Sequence, residues 1–481
     1  MYNFKTTPYA HQEASFNDSW DAEYYALFME MGLGKTKVAI DTMGALFEAG
    51  RIDCGLILAP KGVYDNWVKR EIEEHMPERI DRQIMRWQPT MTQTYLRELR
   101  EFAALKNDKI LRLFVMNIES FSTPKGAETA IDFLTMNPNT MMIVDESTTI
   151  KNRQAARTKN IVKAGRLAKY RRILTGSPVT KSPLDLFSQC NFLSPNALGF
   201  QSFFAFQNRY AIVQSRTMGH RSFQEIVGYR RLEELSEKLE TFSVRLLKED
   251  CLDLPEKIYI RRDVALTKEQ KSAYDQMKHI AMAQLGNGEL ATTQSVLTQI
   301  MRLQQICCGH LRTDEGYVNS LPNNRLSELL DIAEEVQGKV IIWATWTHDL
   351  LMIADALRRR YGPDSAATYY GGTPQDERQK IVTEFQDPES SLRFFVGQPK
   401  TGGYGITLTA ANTMVYYSNS YDLEIRLQSE DRAHRIGQKN AVTYIDLVSP
   451  KTIDEKILQA LRDKIDIAGK VLGENAKDWI I

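Results

Sequence analysis

The sequence predicts an α/β fold of two doubly wound parallel-sheet lobes with helical protrusions between them. Short apolar runs rich in β-branched or aromatic residues, typical of buried parallel strands, alternate with helical stretches in the first half of the chain. The same alternation returns after Asn324. At 481 residues the chain is too long for one hydrophobic core, so the repeated alternation indicates two lobes.

The predicted strands are apolar runs that end in turn or polar residues, and helical stretches such as 64–75 and 95–105 separate them. In the first half they cover residues 54–59, 112–116, 141–144 and 172–174. In the second half they cover residues 340–344, 366–370, 394–396, 414–417 and 442–448.

The region between the two sets of strands is predicted to be mainly helical, from about residue 183 to residue 336. We place the lobe boundary in the polar, proline-containing segment 248–257. The first lobe then covers residues 1–248, with a helical protrusion over about 184–248. The second lobe covers residues 249–481, with a helical insertion over about 266–336 and a C-terminal helix over about 452–481.

The composition excludes several classes of protein. Lysine plus arginine and aspartate plus glutamate both total 61, so any nucleic-acid surface must be a local patch. The five cysteines include no C-x-x-C pair, which argues against structural metal and a disulfide framework. No run of 18 apolar residues and no signal-like N-terminus is present, so we expect no membrane partner and a cytoplasmic or nucleoid-associated protein.

Residues 31–36 read Met-Gly-Leu-Gly-Lys-Thr and precede a helix predicted over 37–47. Gly32 and Gly34 allow the backbone to curl, so that amides around Leu33 point at anionic oxygens. Lys35 supplies a flexible positive charge, and the hydroxyl of Thr36 can hold Mg²⁺. The pattern predicts a nucleoside triphosphate site, and a glycine-rich turn before a core helix is the alternative.

A carboxylate pair, Asp145 and Glu146, follows the predicted strand 141–144. Such acids emerge at the carboxyl edge of the sheet, where open α/β sheets bind ligands. We expect Asp145 to support Mg²⁺, directly or through water, and Glu146 to orient and deprotonate the attacking water. A solvated loop after a core strand is the alternative.

Two arginines in the second lobe, Arg432 and Arg435, form the third candidate element. Since they are three residues apart, both guanidinium groups would project from one face of a helix. From there they could reach a triphosphate and neutralise charge that develops in the transition state. On spacing alone, a solvated helix face explains them equally well.

In order along the chain, these motifs resemble those of superfamily-two ATPases of the Swi/Snf type, helicase-like motors that translocate on duplex DNA. The resemblance is carried by residues 31–36, which form the phosphate loop, and 145–152 (DESTTIKN), which form the acidic box. It is also carried by residues 56–67, 174–179 (LTGSPV), 254–274, 297–310, 370–385, 401–411 and 428–438 (QSEDRAHRIGQ). It implies two RecA-like lobes with ATP and Mg²⁺ in the cleft between them, in a compact form like bacterial or phage members.

The resemblance also implies contacts that spacing does not. Gln12 would read the adenine edge, and Gln428 would face the nucleotide. Backbone and side-chain groups at eight positions would contact DNA phosphates, although ordinary structural turns are the alternative at each: Lys61, Thr175, Gly176, Gly371, Gly372, Thr401, Gly402 and Gly403.

An arginine-rich stretch between residues 206 and 231 is predicted as an auxiliary duplex-binding patch. It contains five arginines, Arg209 and Arg221 among them, against the single acid Glu225. A solvated face is the alternative.

Two departures from the family pattern stand out. Phe28 and Met29 occupy positions where members usually have a small residue and an acid. Ser147 and Thr148 follow Glu146, whereas the acidic box of the family usually ends in a histidine that is thought to couple hydrolysis to DNA engagement.

The leading hypothesis is an ATP-dependent translocase or remodeller on duplex or branched DNA, acting as a monomer and hydrolysing ATP to ADP and phosphate. A strand-separating, annealing or branch-migrating DNA helicase is the first alternative, and an RNA helicase is a further one. A third hypothesis is an ATP-dependent clamp that binds DNA without cycling. The clamp requires a defective site, yet Lys35, Glu146 and both arginines are present.

Overall fold

The computed structural model describes residues 2–61, 63–218, 221–286, 293–313, 317–402 and 406–472. By internal contacts the chain divides into two units. The first comprises Met1–Val213, Ile226–Asp253 and Ile467–Asn475, and the second comprises Gln214–Glu225, Leu254–Asp466 and Ala476–Ile481. The main division, between residues 253 and 254, falls within the proline-containing segment 248–257.

The first unit is built on a parallel sheet of seven described strands, in the order β3-β4-β2-β5-β6-β1-β9. A separate two-stranded sheet pairs β7 with β8, and by internal contacts Gln214–Glu225 of this hairpin belongs to the second unit. The strands are β1 (Tyr24–Met29), β2 (Cys54–Ala59), β3 (Arg82–Arg86), β4 (Leu111–Asn117), β5 (Thr140–Asp145), β6 (Tyr170–Leu174), β7 (Ala211–Met218), β8 (Arg221–Tyr229) and β9 (Ser243–Leu246).

Helices cover both faces of this sheet, because successive residues of a strand point to opposite sides. In β1, Ala26 and Phe28 join one buried core while Leu27 and Met29 join the other. The helices are α1 (Ala10–Ser19), α2 (Lys35–Glu48), α3 (Tyr64–Asn66), α4 (Ile72–His75), α5 (Gln93–Ala104), α6 (Pro124–Met136), α7 (Ala156–Gly165), α8 (Leu186–Leu193), α9 (Phe203–Tyr210), α10 (Leu232–Glu240) and α11 (Lys248–Cys251).

The two family departures in β1 follow from this arrangement. Phe28 and Met29 are fully buried strand residues that pair with Arg245 and Leu246 of β9. The strand therefore continues up to Met29. A small residue in place of Phe28 and an acid in place of Met29 would leave both cores underfilled.

The second unit repeats the plan with a parallel sheet of six described strands, in the order β10-β17-β16-β13-β15-β14. A small antiparallel pair, β11 and β12, stands apart from it. The strands are β10 (Lys257–Asp263), β11 (His310–Arg312), β12 (Val318–Ser320), β13 (Lys339–Trp343), β14 (Ala366–Tyr369), β15 (Phe394–Gly397), β16 (Ala411–Tyr416) and β17 (Val442–Val448).

Two cores again flank this sheet: Val340 and Ile342 of β13 face one, and Ile341 and Trp343 face the other. The helices are α12 (Lys268–Gly286), α13 (Thr293–Cys308), α14 (Arg325–Glu335), α15 (Thr347–Tyr361), α16 (Gln375–Gln386), α17 (Pro399–Gly402), α18 (Leu423–Glu430) and α19 (Ile453–Leu472), of which residues 467–472 are grouped with the first unit. The predicted fold class, two doubly wound parallel sheets, is confirmed.

The regions predicted as helical contain strands as well. The protrusion 184–248 includes the β7–β8 hairpin and β9, and the insertion 266–336 includes the β11–β12 pair. These strands are short or half exposed, so they lack the continuous apolar run of a buried strand. Among the described residues, no helix combines the length and apolarity needed to cross a membrane.

Candidate active site

The phosphate loop connects β1 to α2, and its two glycines are needed for different reasons. Gly32 and Gly34 have φ angles of +88° and +82°, which residues with a Cβ atom rarely adopt. A Cβ at Gly32 would meet nothing within 4 Å, but one at Gly34 would lie 2.2 Å from Nε2 of Gln12. Gly34 caps α2, so the first turn of this helix directs its free N–H groups toward the loop.

Helix α1 is fixed to this loop by two side chains. Nε2 of Gln12 donates to the carbonyl oxygen of Leu33 at 3.1 Å, and Nε2 of His11 lies 3.0 Å from the same oxygen. Oε1 of Gln12 accepts from the backbone N–H of Tyr9 at 3.1 Å. Tyr9 is 52% exposed and stacks on His11. The structure therefore brings Gln12 into contact with the phosphate loop.

The two acids lie at the end of β5, as the sequence predicted, and both are nearly buried. Glu146 has a φ of +49°, a left-handed conformation that breaks the strand at this residue. Its backbone N–H donates to Oδ1 of Asp145 at 3.0 Å. The strands β5, β6 and β1 are consecutive in the sheet and parallel, so the acids and the phosphate loop share one edge.

The electrostatics of Asp145 connect it to the loop. Burial raises the pKa of Asp145 above its ordinary value, and the positive charge of Lys35 and the hydrogen bond from Trp67 oppose that rise. Lys35 is itself only 8% exposed, and Thr36 follows it in the first turn of α2. The residues predicted to hold phosphate and Mg²⁺ are thus assembled in the first unit.

Trp67 is a contact that the sequence did not assign, although residue 67 closes one of the family segments. Its indole Nε1 donates to Oδ2 of Asp145 at 2.9 Å, and its side chain is buried. Trp67 begins a π-helical segment, Trp67–Glu71, between α3 and α4, and the N–H of Ile72 donates to the carbonyl of Trp67. Such segments are frequent at functional sites.

The turn after β6 packs against the base of the phosphate loop. A Cβ at Gly176 would lie 3.3 Å from the backbone nitrogen of Met31. Arg245 of β9 joins these segments, because its Nη1 donates to the carbonyl oxygens of Gly176 at 2.9 Å and Phe28 at 3.2 Å. Arg245 is thus a further contact that the sequence analysis did not assign.

In the second unit, the prediction that Arg432 and Arg435 lie on one helix is wrong. Helix α18 ends at Glu430, and the backbone then turns so that the N–H of Leu408 donates to the carbonyl of Arg432. The two guanidinium groups nevertheless converge, since Nη1 of each donates to the carbonyl of Ile406, at 3.1 Å and 3.4 Å. Nε of Arg432 also donates to the carbonyl of Gln428.

A buried ionic network anchors α18, which carries Gln428. Arg426 donates to both carboxylate oxygens of Asp446, at 2.6 Å and 3.0 Å, and to Oε1 of Glu430 at 2.7 Å. The hydroxyl of Tyr259 donates to the other oxygen of Glu430 at 2.8 Å. Sequence reasoning missed this network, because its members come from three separate elements.

Three of the candidate DNA contacts in the first half of the chain, Lys61, Thr175 and Arg209, have partners within the protein. The backbone N–H of Lys61 faces the carboxylate of Glu119 at 3.2 Å. Thr175 is buried, and its hydroxyl accepts from the N–H of Ser177. Arg209 forms an ion pair with Glu234. Arg221 lies on β8, but its side chain is outside the described part of the chain.

In the second unit, Arg378 shapes the Gly371–Gly372 turn. Its guanidinium donates to the carbonyls of Tyr370 at 2.9 Å and Gly371 at 3.2 Å. Thr401 and Gly402 lie in α17, where a Cβ at Gly402 would lie 2.7 Å from the ring of Trp343. Gly403 lies outside the described residues.

Two family models match the chain, one to each half. A model described as "SNF2-related domain" matches residues 25–311. A model described as "Helicase conserved C-terminal domain" matches residues 322–437.

Several yeast proteins are similar to the chain. Nuclear protein STH1/NPS1 of Saccharomyces cerevisiae is 27% identical over 464 residues, covering 92% of this chain and 33% of that protein. Transcription regulatory protein SNF2 of the same yeast is 26% identical over 471 residues, covering 92% of this chain and 26% of that protein. The chain thus spans a third or less of the length of these curated relatives.

A solved structure, the Sulfolobus solfataricus SWI2/SNF2 ATPase core in complex with dsDNA, is 22% identical, with a TM-score of 0.41 and coverage of 98% of this chain and 94% of that one. The SNF2-related model alone covers more than half of the chain. The chain therefore belongs to the SNF2-related family of helicase-like ATPases.

Proposed function

We propose that the protein is an ATP-dependent translocase on double-stranded DNA that remodels DNA or DNA–protein complexes without separating strands. The observation that carries the proposal is the assembly of Lys35, Asp145 and Glu146 at one edge of the first sheet, in a chain of the SNF2-related family. The solved relative is described as bound to dsDNA, which agrees with the proposed track.

The nucleotide is assigned to the first unit. The amides of Gly32, Leu33 and Gly34, together with Lys35, would hold the β and γ phosphates. Thr36, in the first turn of α2, and Asp145, at the end of β5, would hold Mg²⁺. When bound, this ion shields the negative charge of the phosphates. Among the described residues, no group of three or more His, Cys, Asp or Glu side chains is placed to hold a metal ion.

Hydrolysis is assigned to three side chains. Glu146 would orient water and accept its proton, which its near-buried position beside Asp145 supports. Arg432 and Arg435 would stabilise the charge of the transition state, and their convergence on Ile406 supports a joint role. Gln428 would face the nucleotide, and Gln12 would read the adenine edge beside the phosphate loop.

Contact with DNA is assigned to loops at the carboxyl ends of the strands in both units. Small residues there let backbone amides approach phosphates, which gives a sequence-independent grip suited to stepping. Arg209 and Arg221 would add an auxiliary contact, for which Arg209 must exchange Glu234 for phosphate. The loop positions are Lys61, Thr175, Gly176, Gly371, Gly372, Thr401, Gly402 and Gly403.

The proposal includes a monomeric protein of the cytoplasm or nucleoid. Its test is the ATPase rate of the purified chain with no nucleic acid, single-stranded DNA, duplex DNA, forked DNA and RNA. We expect duplex DNA to stimulate turnover most, together with little displacement of a strand from a tailed duplex. Preference for RNA would overturn the DNA track, and robust unwinding would favour a strand-separating helicase.

A further inference from the structure

In the acidic box of this chain, Glu146 is followed by Ser147 and Thr148, whereas the box usually ends in a histidine in the family. The hydroxyl of Ser147 makes a buried contact. Ser147 follows Glu146 directly and has no exposed surface. Its Oγ donates to Oε1 of Gln189 at 2.7 Å. Gln189 lies on α8, 42 residues further along the chain, and is also fully buried. The residue next to the proposed base is therefore fixed by a side chain from a distant helix.

The other end of the Gln189 amide holds the turn after β6. Its Nε2 donates to the carbonyl of Pro178 at 2.8 Å and to the carbonyl of Asp185 at 3.0 Å. One planar amide thus bridges Ser147 and Pro178. A buried amide is costly unless it is paired, and this one uses both of its N–H groups and its oxygen.

Residues 176–180, in the turn that Gln189 holds, contact the phosphate loop at one end and the acidic box at the other. At its start, Gly176 packs against the backbone of Met31. At its end, Nζ of Lys151 donates to the hydroxyl of Thr180 at 2.7 Å. The same threonine donates its backbone N–H to Asp185 at 3.1 Å. A shift of this turn would therefore be transmitted to the acidic box through short contacts that are buried or partly buried.

We infer that Gln189 is a positioning residue that couples the turn Thr175–Gly176 to Glu146 through Ser147. This inference rests on the proposed function, in which the turn contacts DNA. Binding of a phosphate at the turn would change the orientation of the Pro178 carbonyl and hence of the amide that holds Ser147. The coupling thus uses residues of this chain instead of a histidine at the end of the acidic box.

The first variant is Gln189→Met, which keeps the approximate volume and removes the amide. We expect the stimulation factor, defined as turnover with saturating duplex DNA divided by turnover without DNA, to fall about 10-fold. We expect basal turnover, the KM for ATP and the Kd for duplex DNA to change less than ~2-fold. Ser147→Ala should reduce the stimulation factor in the same direction.

The double variant Ser147→Ala, Gln189→Met tests whether the two residues act through one contact. Its stimulation factor should match that of Gln189→Met within ~2-fold, because the contact is already lost in the single variant. Independent, multiplicative losses would overturn the inference. If Gln189→Met does not fold, Ser147→Ala, which removes one hydroxyl only, decides between a reduced and an unchanged stimulation factor.

Asn137→Leu is the matched control for a purely structural effect. Asn137 is 2% exposed, and its amide accepts from Arg112 and donates to the carbonyls of Ala103 and Phe133. It should lose stability while its stimulation factor stays at the wild-type value. If Gln189→Met shows the same pattern, the inference is wrong. A wild-type protein that duplex DNA does not stimulate would overturn the proposed function as well.

Discussion

The two units hold their candidate functional residues in place by different means. In the first unit the means is backbone conformation, since Gly32, Gly34 and Glu146 all have positive φ angles. In the second unit it is charge, since the buried pair of Arg426 and Asp446 fixes the helix that precedes the arginine cluster. A phosphate site presents backbone amides and depends on backbone shape, whereas long arginine side chains need a rigid helix behind them.

The largest expected effect comes from the proposed base, Glu146, which has a left-handed backbone conformation. Glu146→Gln should lower ATP turnover by roughly 10²–10⁴-fold while ATP binding is retained, because the amide keeps the shape and cannot accept the proton. Steady-state hydrolysis and binding of a fluorescent ATP analogue measure the two quantities. Unchanged turnover would show that Glu146 is not the base.

Removing charge from the second unit should have the next largest effect. Arg426→Met leaves two buried carboxylates, Asp446 and Glu430, without their guanidinium partner, so the free energy of unfolding should fall by roughly 3–5 kcal/mol. Urea denaturation followed by circular dichroism measures the loss.

Arg172→Met is the control, because Arg172 is equally buried but donates to backbone carbonyls of Ser19 and Ala22. Its loss leaves no buried charge and should cost only about 1–3 kcal/mol. Equal losses for the two variants would remove the distinction between a charge-based and a backbone-based anchor.

Two glycine substitutions, Gly34→Ala in the phosphate loop and Gly50→Ala outside it, test the role of the loop in ATP binding. Gly34→Ala forces a left-handed alanine, at a cost of about 1–2 kcal/mol, and displaces Gln12. ATP affinity should therefore fall at least ~10-fold, as measured by isothermal titration calorimetry. Gly50→Ala has a similar φ of +66° but meets nothing within 4 Å, so it should lose stability without losing ATP affinity. Similar affinities for both variants would contradict the Gln12 contact.

The smallest effect concerns a second buried ion pair, Lys37 and Asp41 on α2, which is less complete than the Arg426 pair. Oδ1 of Asp41 has no hydrogen-bond partner among the described residues, whereas both oxygens of Asp446 accept hydrogen bonds. Burial raises the pKa of Asp41 from 3.8 to about 6, despite Lys37.

Because the folded pKa of Asp41 lies above the unfolded value, its contribution to stability is present below pH 4 and is lost as the pH rises to about 6. Asp41→Asn should remove this loss, which we expect to be on the order of 1 kcal/mol. Urea denaturation of both proteins at pH 4.5 and pH 7 gives the difference. Parallel pH dependences would mean that Asp41 does not titrate in this range.

The sequence predicted most strands of both sheets, including the edge strand β14, but missed the interior strand β1 and the edge strands β3, β9 and β10. Central strands such as β2 are buried on both faces and read as continuous apolar runs. The edge strands β3, β9 and β10 carry arginine, lysine or serine among their apolar residues and are only partly buried. In β10, Tyr259 separates Ile258 from Ile260, and the charged residues Lys257 and Arg261 flank them. Only Lys257 falls within the segment 248–257, where we placed the lobe boundary.

The candidate site shows the same division between local and distant information. The loop, the acids and the positions of the arginines were readable because each is a short motif beside a strand or helix. Trp67, Arg245 and Gln189 were not, since their partners lie 78, 69 and 42 residues away in sequence. The backbone turn after α18 includes a hydrogen bond from the N–H of Leu408 to the carbonyl of Arg432, and no local periodicity predicts this contact.

Because of the π-helical segment Trp67–Glu71, the contact between Trp67 and Asp145 depends on the number of residues in this segment as well as on their types. Its hydrogen bond spans five residues, from Ile72 to Trp67, instead of the four of an α-helix. Deleting one residue there would restore α geometry and turn the flanking residues by about 100° relative to each other. Insertions and deletions here, even with every motif residue kept, would therefore separate Trp67 from Asp145 during the evolution of this chain.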